Sequence, residues 1–557
     1  MKLTKTKATL IAAALAQLAL GAKFSQEIST GNATAKVDVI IQYVIKPGLT
    51  DQSKVTAKGG TIKRKFVNIP AMTANLSIQA ARDLSADSNV RYVSIERKVR
   101  GSLEFANPAV NATLAYNGGF RGNAVGIAII DSGINSAHAD MKSGTTSRVV
   151  YSENFVPGET TTADTFGHGT HVAGIAGGNA ALSAGTVKFR GMAPDVKFIN
   201  LRVLDGQGSG FDSSTIAAID KAISLKTTYN IRVINLSLGR PIMESYATDP
   251  LCDAVGRAWK AGIVVVVAAG NRGRDDGGGT RGYGTIGSPG NHPDVITVGA
   301  MRDMGTSERA DDQMASYSSK GPTLLDHLVK PDLVAPGNKI ISATNSASTL
   351  YAVAGTHILK SYYTNGAGDS QDYYRLSGTS MAAAAVSGTA ALMIGKDSAL
   401  SPDVIKARLM KTATKGFPPA STYTDPTTGV TYPIQNDVFT IGAGYLDVWA
   451  ALNSADTSKK AAPSPTAIYN ATAGTVSVEF GTGNAWADPV WAKNVVWGDS
   501  VFLTGTNVLW GDNVVWGDST LTGFNVVWGD NVLWGDNVLW GDNVLWGDSV
   551  MAKGDAK

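Results

Sequence analysis

Gly378-Thr379-Ser380-Met381-Ala382 ends a loop and opens an Ala-rich helical run from Met381 to Met393. A serine at such a junction faces the free N–H groups and the positive dipole end of a helix N-terminus, and both favour negative charge. That setting suits a nucleophile whose reaction builds an oxyanion. Gly-Thr-Ser before a helix is equally an ordinary cap, so the stretch acquires a chemical reading only if other parts of the chain answer it.

Three stretches do. Asp131-Ser132-Gly133 follows Val125-Gly126-Ile127-Ala128-Ile129-Ile130, a continuous apolar run that reads as a buried strand. An aspartate at the C-terminal end of such a strand lies where open α/β sheets place their sites. Gly167-His168-Gly169-Thr170-His171-Val172-Ala173-Gly174 puts His168 at the start of a small-residue helix, and Ala268-Ala269-Gly270-Asn271 follows the strand-like run 262–267 and ends in a side-chain amide. Taken singly, Asp131 reads as a helix cap, Asn271 as a turn residue and His168 as a structural histidine. Their joint occurrence favours catalysis.

The order Asp, His, Asn, Ser, with these flanks, resembles the subtilisin-like serine peptidases over roughly Asn107 to Asn453. The resemblance implies roles residue by residue. Ser380 is the nucleophile, His168 the general base and then acid, and Asp131 the group that orients His168 and stabilises its cation. Asn271 and the Ser380 N–H form the oxyanion hole. Ser237-Leu238-Gly239 is the edge that pairs with extended substrate, and Ala269, Gly270 and Gly287 line the binding cleft. Ser288-Pro289 matches the position of a cis proline beside the primary specificity pocket, with Gly287 at its floor. No acid is evident there to select basic side chains, so an apolar or broad preference is expected. His171, one turn beyond His168, reads as structural: His-x-x-His without a following Glu lacks the i, i+4 pair of a zinc protease helix.

The implied fold is α/β, a doubly wound parallel sheet of the subtilisin-like kind, because buried strands alternate with helices through residues 107–453. Lys197–Val203 and Arg232–Leu236 read as strands, 211–225 and 251–261 as helices, and Ser401-Pro402-Asp403 as a capped helix start. Residues 36–102 show the order βαββαβ, a small α+β ferredoxin-like unit. In front of this catalytic domain it resembles the family's inhibitory propeptide, with a cut expected between Val99 and Asn107. A permanent small domain is the alternative.

Residues 1–22 carry Lys2, Lys5 and Lys7 before an apolar run ending in Ala19-Leu20-Gly21-Ala22, the pattern of a secretory signal. The run is short for a membrane span, and no later stretch reaches about 20 apolar residues. A secreted, cell-surface or periplasmic location is therefore expected. Cys252 is the only cysteine, so no intramolecular disulfide is available. The 557 residues predict more than one domain, 43% hydrophobic with 17% charged is globular, and a net charge of +3 gives no case for nucleic acid or an anionic membrane.

No cofactor is required for the implied chemistry, and no metal site is assigned. Gly178–Gly191 occupies the place of a calcium loop in many relatives but lacks matching side-chain oxygens. Asp140 offers one carboxylate where calcium takes six to eight oxygens, and structural calcium elsewhere stays open. Thr356–Tyr374 looks like an insertion, either a subsite wall or a surface loop. From Asn453 to Pro465 the composition turns to Ser, Ala, Lys and Pro, and 454–489 reads as a linker region. Residues 490–550 are a hexad repeat tail with Trp-Gly-Asp at Trp497, Trp510, Trp516, Trp528, Trp534, Trp540 and Trp546. An even period keeps each letter on one strand face, so a β-solenoid is expected, with a disordered tail as the alternative. The expected partners are protein or peptide substrates and the chain's own propeptide, with the tail a candidate for binding the cell surface or a partner. The rival reading is a surface-binding protein whose tail is the working part.

Overall fold

The computed structural model describes residues 23–485, apart from 97, 102–107, 184–186, 277–278, 305, 307–308, 354, 419, 458–459 and 471–474, and beyond 485 only the backbone of 509–510 and 527–528, and residue 555. The expected signal segment 1–22 and nearly all of the repeat tail lie outside the described residues. The chain forms two compact units, one running to Arg97 and taking in Ala247–Pro250, the other comprising the rest.

The first unit opens with the short helix α1 (Gln26–Thr30) and continues β1 (Lys36–Tyr43), α2 (Leu49–Ala57), β2 (Thr61–Lys65), β3 (Ala71–Ser77), α3 (Ile78–Ser85) and β4 (Val90–Ile95). Its sheet runs β2-β3-β1-β4 with every neighbour antiparallel, the strand order of the expected βαββαβ unit. Val39, Ile41, Met72, Ala74 and Leu76 of the central strands meet Ile78, Ala81 and Leu84 of α3 in one core. Ser77 caps α3 by accepting from the Ala80 N–H at 3.2 Å. Pairing of β4 with β1 reaches Ile95 opposite Val39. The expected last strand, 91–99, is therefore divided, and Lys98–Gly101 forms a separate strand belonging to the second unit.

In the second unit the elements are β5 (Lys98–Gly101), β6 (Gly126–Asp131), β7 (Val149–Asn154), α4 (His168–Gly177), β8 (Lys197–Arg202), β9 (Ser209–Phe211), α5 (Asp212–Ser224), β10 (Ile231–Leu236), β11 (Leu238–Gly239), α6 (Pro250–Lys260), β12 (Val264–Ala268), β13 (Ile296–Arg302), β14 (Gln313–Met314), β15 (Leu333–Pro336), α7 (Thr379–Lys396) and α8 (Pro402–Thr412), with shorter pieces between them. The main sheet has eight strands ordered β14-β13-β12-β10-β6-β8-β7, with β15 also on β13. All pairs are parallel except β13 with β14. Every residue of β6 and β12 is buried, as expected where helices cover both faces of a parallel sheet.

Helix α7 runs across β10, β12, β13 and β15 and packs against α4. Ala and Gly make this close approach possible: a Cβ on Gly388 would stand 2.5 Å from the Ala176 carbonyl oxygen. Strand order reverses at β6, so the C-terminal end of that strand opens a crevice between neighbouring connections. Asp131 is its last residue.

One expectation fails, and one of two alternatives falls. The 454–489 segment is no free linker in its described part. Residues 466–470 and 475–479 form an antiparallel hairpin, and Ala462 and Ala467 are buried with Val329, Met410 and Phe439, with Val476, Val478 and Phe480 packed against them. Small and Pro-rich composition misled because alanine buries well when a ready-made apolar surface receives it. The 356–374 insertion is no plain surface loop either. It supplies strands 357–359 and 369–376, with Tyr373 and Tyr374 wholly buried. In the tail, Leu509–Trp510 pairs parallel with Val527–Trp528, Trp510 opposite Trp528, an offset of 18 residues or three hexads.

Candidate active site

His168 opens α4 and its Nδ1 lies 2.6 Å from Asp131 Oδ1, both side chains being fully buried. The helix start can approach β6 because residue 169 has no side chain. A Cβ there would stand 2.1 Å from the Gly133 carbonyl oxygen. Asp131 Oδ1 also accepts from the Ser132 N–H at 2.7 Å, so the acceptor is held by its own loop. A histidine whose Nδ1–H donates to a carboxylate has Nε2 as its basic nitrogen.

Asp164, absent from the sequence-based candidates, holds this pair. Its carboxylate is fully buried and accepts from Ser132 Oγ at 2.8 Å, the Gly167 N–H at 2.6 Å and the Thr170 N–H at 2.7 Å. Ser132 Oγ in turn accepts from the Gly169 N–H at 2.9 Å. These contacts satisfy amides that a helix N-terminus leaves unpaired. Burial pushes the Asp164 carboxyl up, and the bonds from Thr170, Gly167 and Ser132 oppose it. The residue that caps this helix by position is Gly167, so no local cap signal pointed to Asp164.

Ser380 is the second residue of α7 and is fully buried. Its Oγ donates to the Ser237 carbonyl oxygen at 3.2 Å, while Ser237 Oγ donates to the Ser380 carbonyl oxygen at 2.7 Å. Asn235 ties the same region together by donating to Ser237 Oγ and accepting from Ser387 Oγ, each at 2.8 Å. Asn271 is anchored through its oxygen, which accepts from Thr379 N–H at 2.9 Å and Thr379 Oγ1 at 3.1 Å. Its Nδ2 is then buried with no acceptor among the described residues. Tyr374, in the strand that leads to Ser380, donates its hydroxyl to the Gly167 carbonyl oxygen at 2.7 Å, beside His168.

The remaining candidates lie around this centre. Gly287 N–H donates to the Ala269 carbonyl oxygen at 3.1 Å, and Gly270 N–H to Thr379 Oγ1 at 3.1 Å. Gly270 has φ +109°, a backbone conformation that suits glycine. Arg240 and Ser288 exchange backbone hydrogen bonds of 3.0 and 2.8 Å, which brings Gly239 beside Gly287, and the Ser288–Pro289 bond is cis. Leu238 and Gly239 form β11, which pairs antiparallel with β5, and β5 pairs antiparallel on its other side with β9. The segment 98–101 thus fills the middle of a three-stranded sheet whose outer strands are 209–211 and 238–239.

His171 is fully buried, edge-on to the Tyr374 ring at 5.1 Å. Burial, then the neighbouring His168, holds it well below the usual histidine range. This fits a packed structural role. The calcium reading of Asp140 does not fit the residues present. Its Oδ1 accepts from the Leu182 N–H at 3.2 Å and its Oδ2 from the Tyr373 hydroxyl at 2.8 Å. Tyr373, with Tyr363, Leu182 and Val187, packs the 178–191 loop from the side of the insertion. Among the described residues no group of three or more His, Cys, Asp or Glu is placed to hold a metal, and no helix is long and apolar enough to cross a membrane.

Residues 122–431 match the model of the Subtilase family. Serine protease AprX of Bacillus subtilis (strain 168) is 36% identical over 369 residues, covering 64% of this chain and 77% of that protein. Subtilisin E of the same organism is 33% identical over 395 residues, covering 70% of this chain and 84% of the other. Fervidolysin from Fervidobacterium pennivorans, a keratinolytic enzyme related to subtilisin, superimposes with a TM-score of 0.56 at 21% identity, over 78% of this chain and 63% of that one, a likeness of fold. With a family match spanning more than half of its length, the chain belongs to the subtilase family and is a subtilisin-like serine endopeptidase.

Proposed function

We propose that hydrolysis runs through Asp131, His168 and Ser380, and that the observation carrying this is the fixed Asn271 amide. Its oxygen is held by Thr379, so its buried Nδ2 presents a donor with nothing in the described structure to accept from it. A buried unpaired donor is costly, and an oxyanion that forms only during reaction is the partner that repays it. His168 Nε2 takes the proton from Ser380 Oγ as Oγ bonds to the scissile carbonyl carbon. The carbonyl oxygen becomes an oxyanion between Asn271 Nδ2 and the Ser380 N–H, at the positive end of α7. His168, its cation stabilised by Asp131, returns the proton to the leaving amine as the C–N bond breaks. Water, deprotonated by His168, then cleaves the acyl-enzyme.

Strands 209–211 and 238–239 are the rails for an extended substrate, which binds by main-chain pairing and so reads backbone more than side chain. The pairing of 98–101 between those rails supports the reading of the unit before it as an inhibitory propeptide. In this reading the tail of that unit stays in the cleft after self-cleavage between 99 and 107. Export by the N-terminal segment, and a location outside the cytoplasm, belong to the same proposal. A fluorophosphonate probe tests it: it should label wild type once, at Ser380, and should leave Ser380→Ala unlabelled and uncut. Labelling elsewhere, or a mature N-terminus in Ser380→Ala, refutes the assignment.

A further inference from the structure

Asp555, beyond the Trp-Gly-Asp repeat, is fully buried. Its Oδ1 accepts from Arg274 Nη2 at 2.6 Å and from Ser316 Oγ at 2.8 Å, and its Oδ2 from the Ser316 N–H at 2.7 Å. Its backbone is read as well. The Asp555 N–H donates to Asn338 Oδ1 at 2.8 Å, and its carbonyl oxygen accepts from Asn338 Nδ2 at 3.1 Å. We propose that Arg274, Ser316 and Asn338 form a receptor on the catalytic domain for an acidic peptide residue, and that its occupant is Asp555, beyond the repeat in the same chain.

The receptor is built rather than incidental. Arg274 is fixed independently of Asp555: its Nε donates to Ser316 Oγ at 2.7 Å and its Nη1 to Asp425 at 3.1 Å. Its guanidinium lies over the rings of Tyr423 and Tyr432, at 5.1 and 4.9 Å, a preorganised cation of the kind that recognises carboxylates. Asn338 adds a two-point clamp that any residue's backbone satisfies, so the selectivity for Asp comes from Arg274 and Ser316. A glutamate, one methylene longer, could not keep its backbone on Asn338 and its carboxylate on Ser316 without moving one of them.

The receptor joins the supports of both halves of the reaction centre. Arg274 follows Asn271 by three residues. The 271–274 turn is tied to the 316–319 segment by Gly273 N–H to the Tyr317 carbonyl oxygen at 2.8 Å and Arg272 N–H to Ser319 Oγ at 3.1 Å. Asn338 lies in the turn that carries Ser380's approach. Gly378 N–H donates to the Gly337 carbonyl oxygen at 2.9 Å, and Lys339 N–H to Ser377 Oγ at 3.1 Å. Seated Asp555 bridges these two turns.

The test uses full-length chain carrying Ser380→Ala, which prevents self-digestion in every sample. Hydrogen exchange of residues 272–276 and 314–319 is compared between that parent and Asp555→Ala, with Asp555→Asn as a second variant. We expect exchange of the Ser316 amide to quicken at least tenfold in Asp555→Ala. The synthetic heptapeptide of residues 551–557, added to the Asp555→Ala chain, should restore the slow rate. The same peptide with Asn in place of Asp should bind at least tenfold more weakly. Parent-like exchange at Ser316 in Asp555→Ala overturns the proposal. So does restoration by the Asn peptide at equal concentration.

Discussion

Replacing Asp164 by alanine tests whether the reaction centre depends on a residue outside the triad. The carboxylate accepts three hydrogen bonds, from Ser132 Oγ, Gly167 N–H and Thr170 N–H, in a site with no solvent exposure. Alanine leaves those donors without an acceptor, and an unsatisfied buried donor costs about 1–3 kcal/mol. Removing a carboxylate that burial itself disfavours returns part of this. If two of the three donors stay unpaired, the net loss is about 2–5 kcal/mol, a large share of the ~5–15 kcal/mol typical of a folded protein. Asp164→Asn keeps one acceptor but turns an amide NH₂ toward a donor, so we expect a smaller loss of about 1–3 kcal/mol. Catalysis should fall too, because Gly167 and Thr170 flank His168 and fix where α4 begins. A shift of about 1 Å in a catalytic group can cost on the order of a hundredfold. Urea denaturation of Asp164→Ala in a Ser380→Ala background gives the stability. Hydrolysis of a chromogenic peptide by the variant with Ser380 intact gives kcat/KM. A urea midpoint matching the parent together with kcat/KM within twofold of wild type would refute the reasoning.

Asn271→Leu should lower kcat by about 10²–10³ with little change in KM, a magnitude taken from subtilisin's own oxyanion-hole asparagine rather than worked from this structure; a loss confined to KM would contradict the role. Ser380→Ala should lose on the order of a millionfold in turnover, again subtilisin's own scale, and should accumulate uncut, as N-terminal sequencing would show. His327 is held down to about 4 by burial, below its ordinary 6.5. Its folded-state preference for the neutral form stabilises the protein fully above pH 6.5, and this contribution is lost as pH falls through 4. Discounted for its partial exposure, the effect is about 1–2 kcal/mol, and His327→Gln should flatten the urea midpoint between pH 6.5 and 4. Ending the chain after Ala485 should leave a folded enzyme, whereas ending it after Pro465 strips Ala467, Val476, Val478 and Phe480 from the core and should cost about 3–5 kcal/mol, read as a lower melting temperature.

The sequence by itself determined the elements whose burial is complete and whose chemistry is local. The apolar runs at 125–130 and 262–267 had to be interior strands, since nothing polar interrupts them, and the residues just past them had to face the sheet's C-terminal edge. The placement of Asp131, His168, Asn271 and Ser380 at element ends was legible for that reason, each marked by a strand end or helix start and by glycines that admit close approach. Ser401 as the cap of α8, bonding the Val404 N–H at 3.3 Å, was legible in the same way. Tertiary structure alone decided what depends on partners distant in the chain. Asp164 reaches Ser132 across 32 residues, Asn271 takes its orientation from Thr379 108 residues later, and Tyr373 occupies the Asp140 oxygen across 233. Local composition misdescribed the 454–485 segment because alanine and proline say little about burial until a surface exists to receive them. Asp555 could not be singled out from the many Gly-Asp pairs before it. Only the fold sets Arg274, Ser316 and Asn338 around that one carboxylate, because a hydrogen-bonded receptor is a property of three loops meeting and no single stretch encodes it.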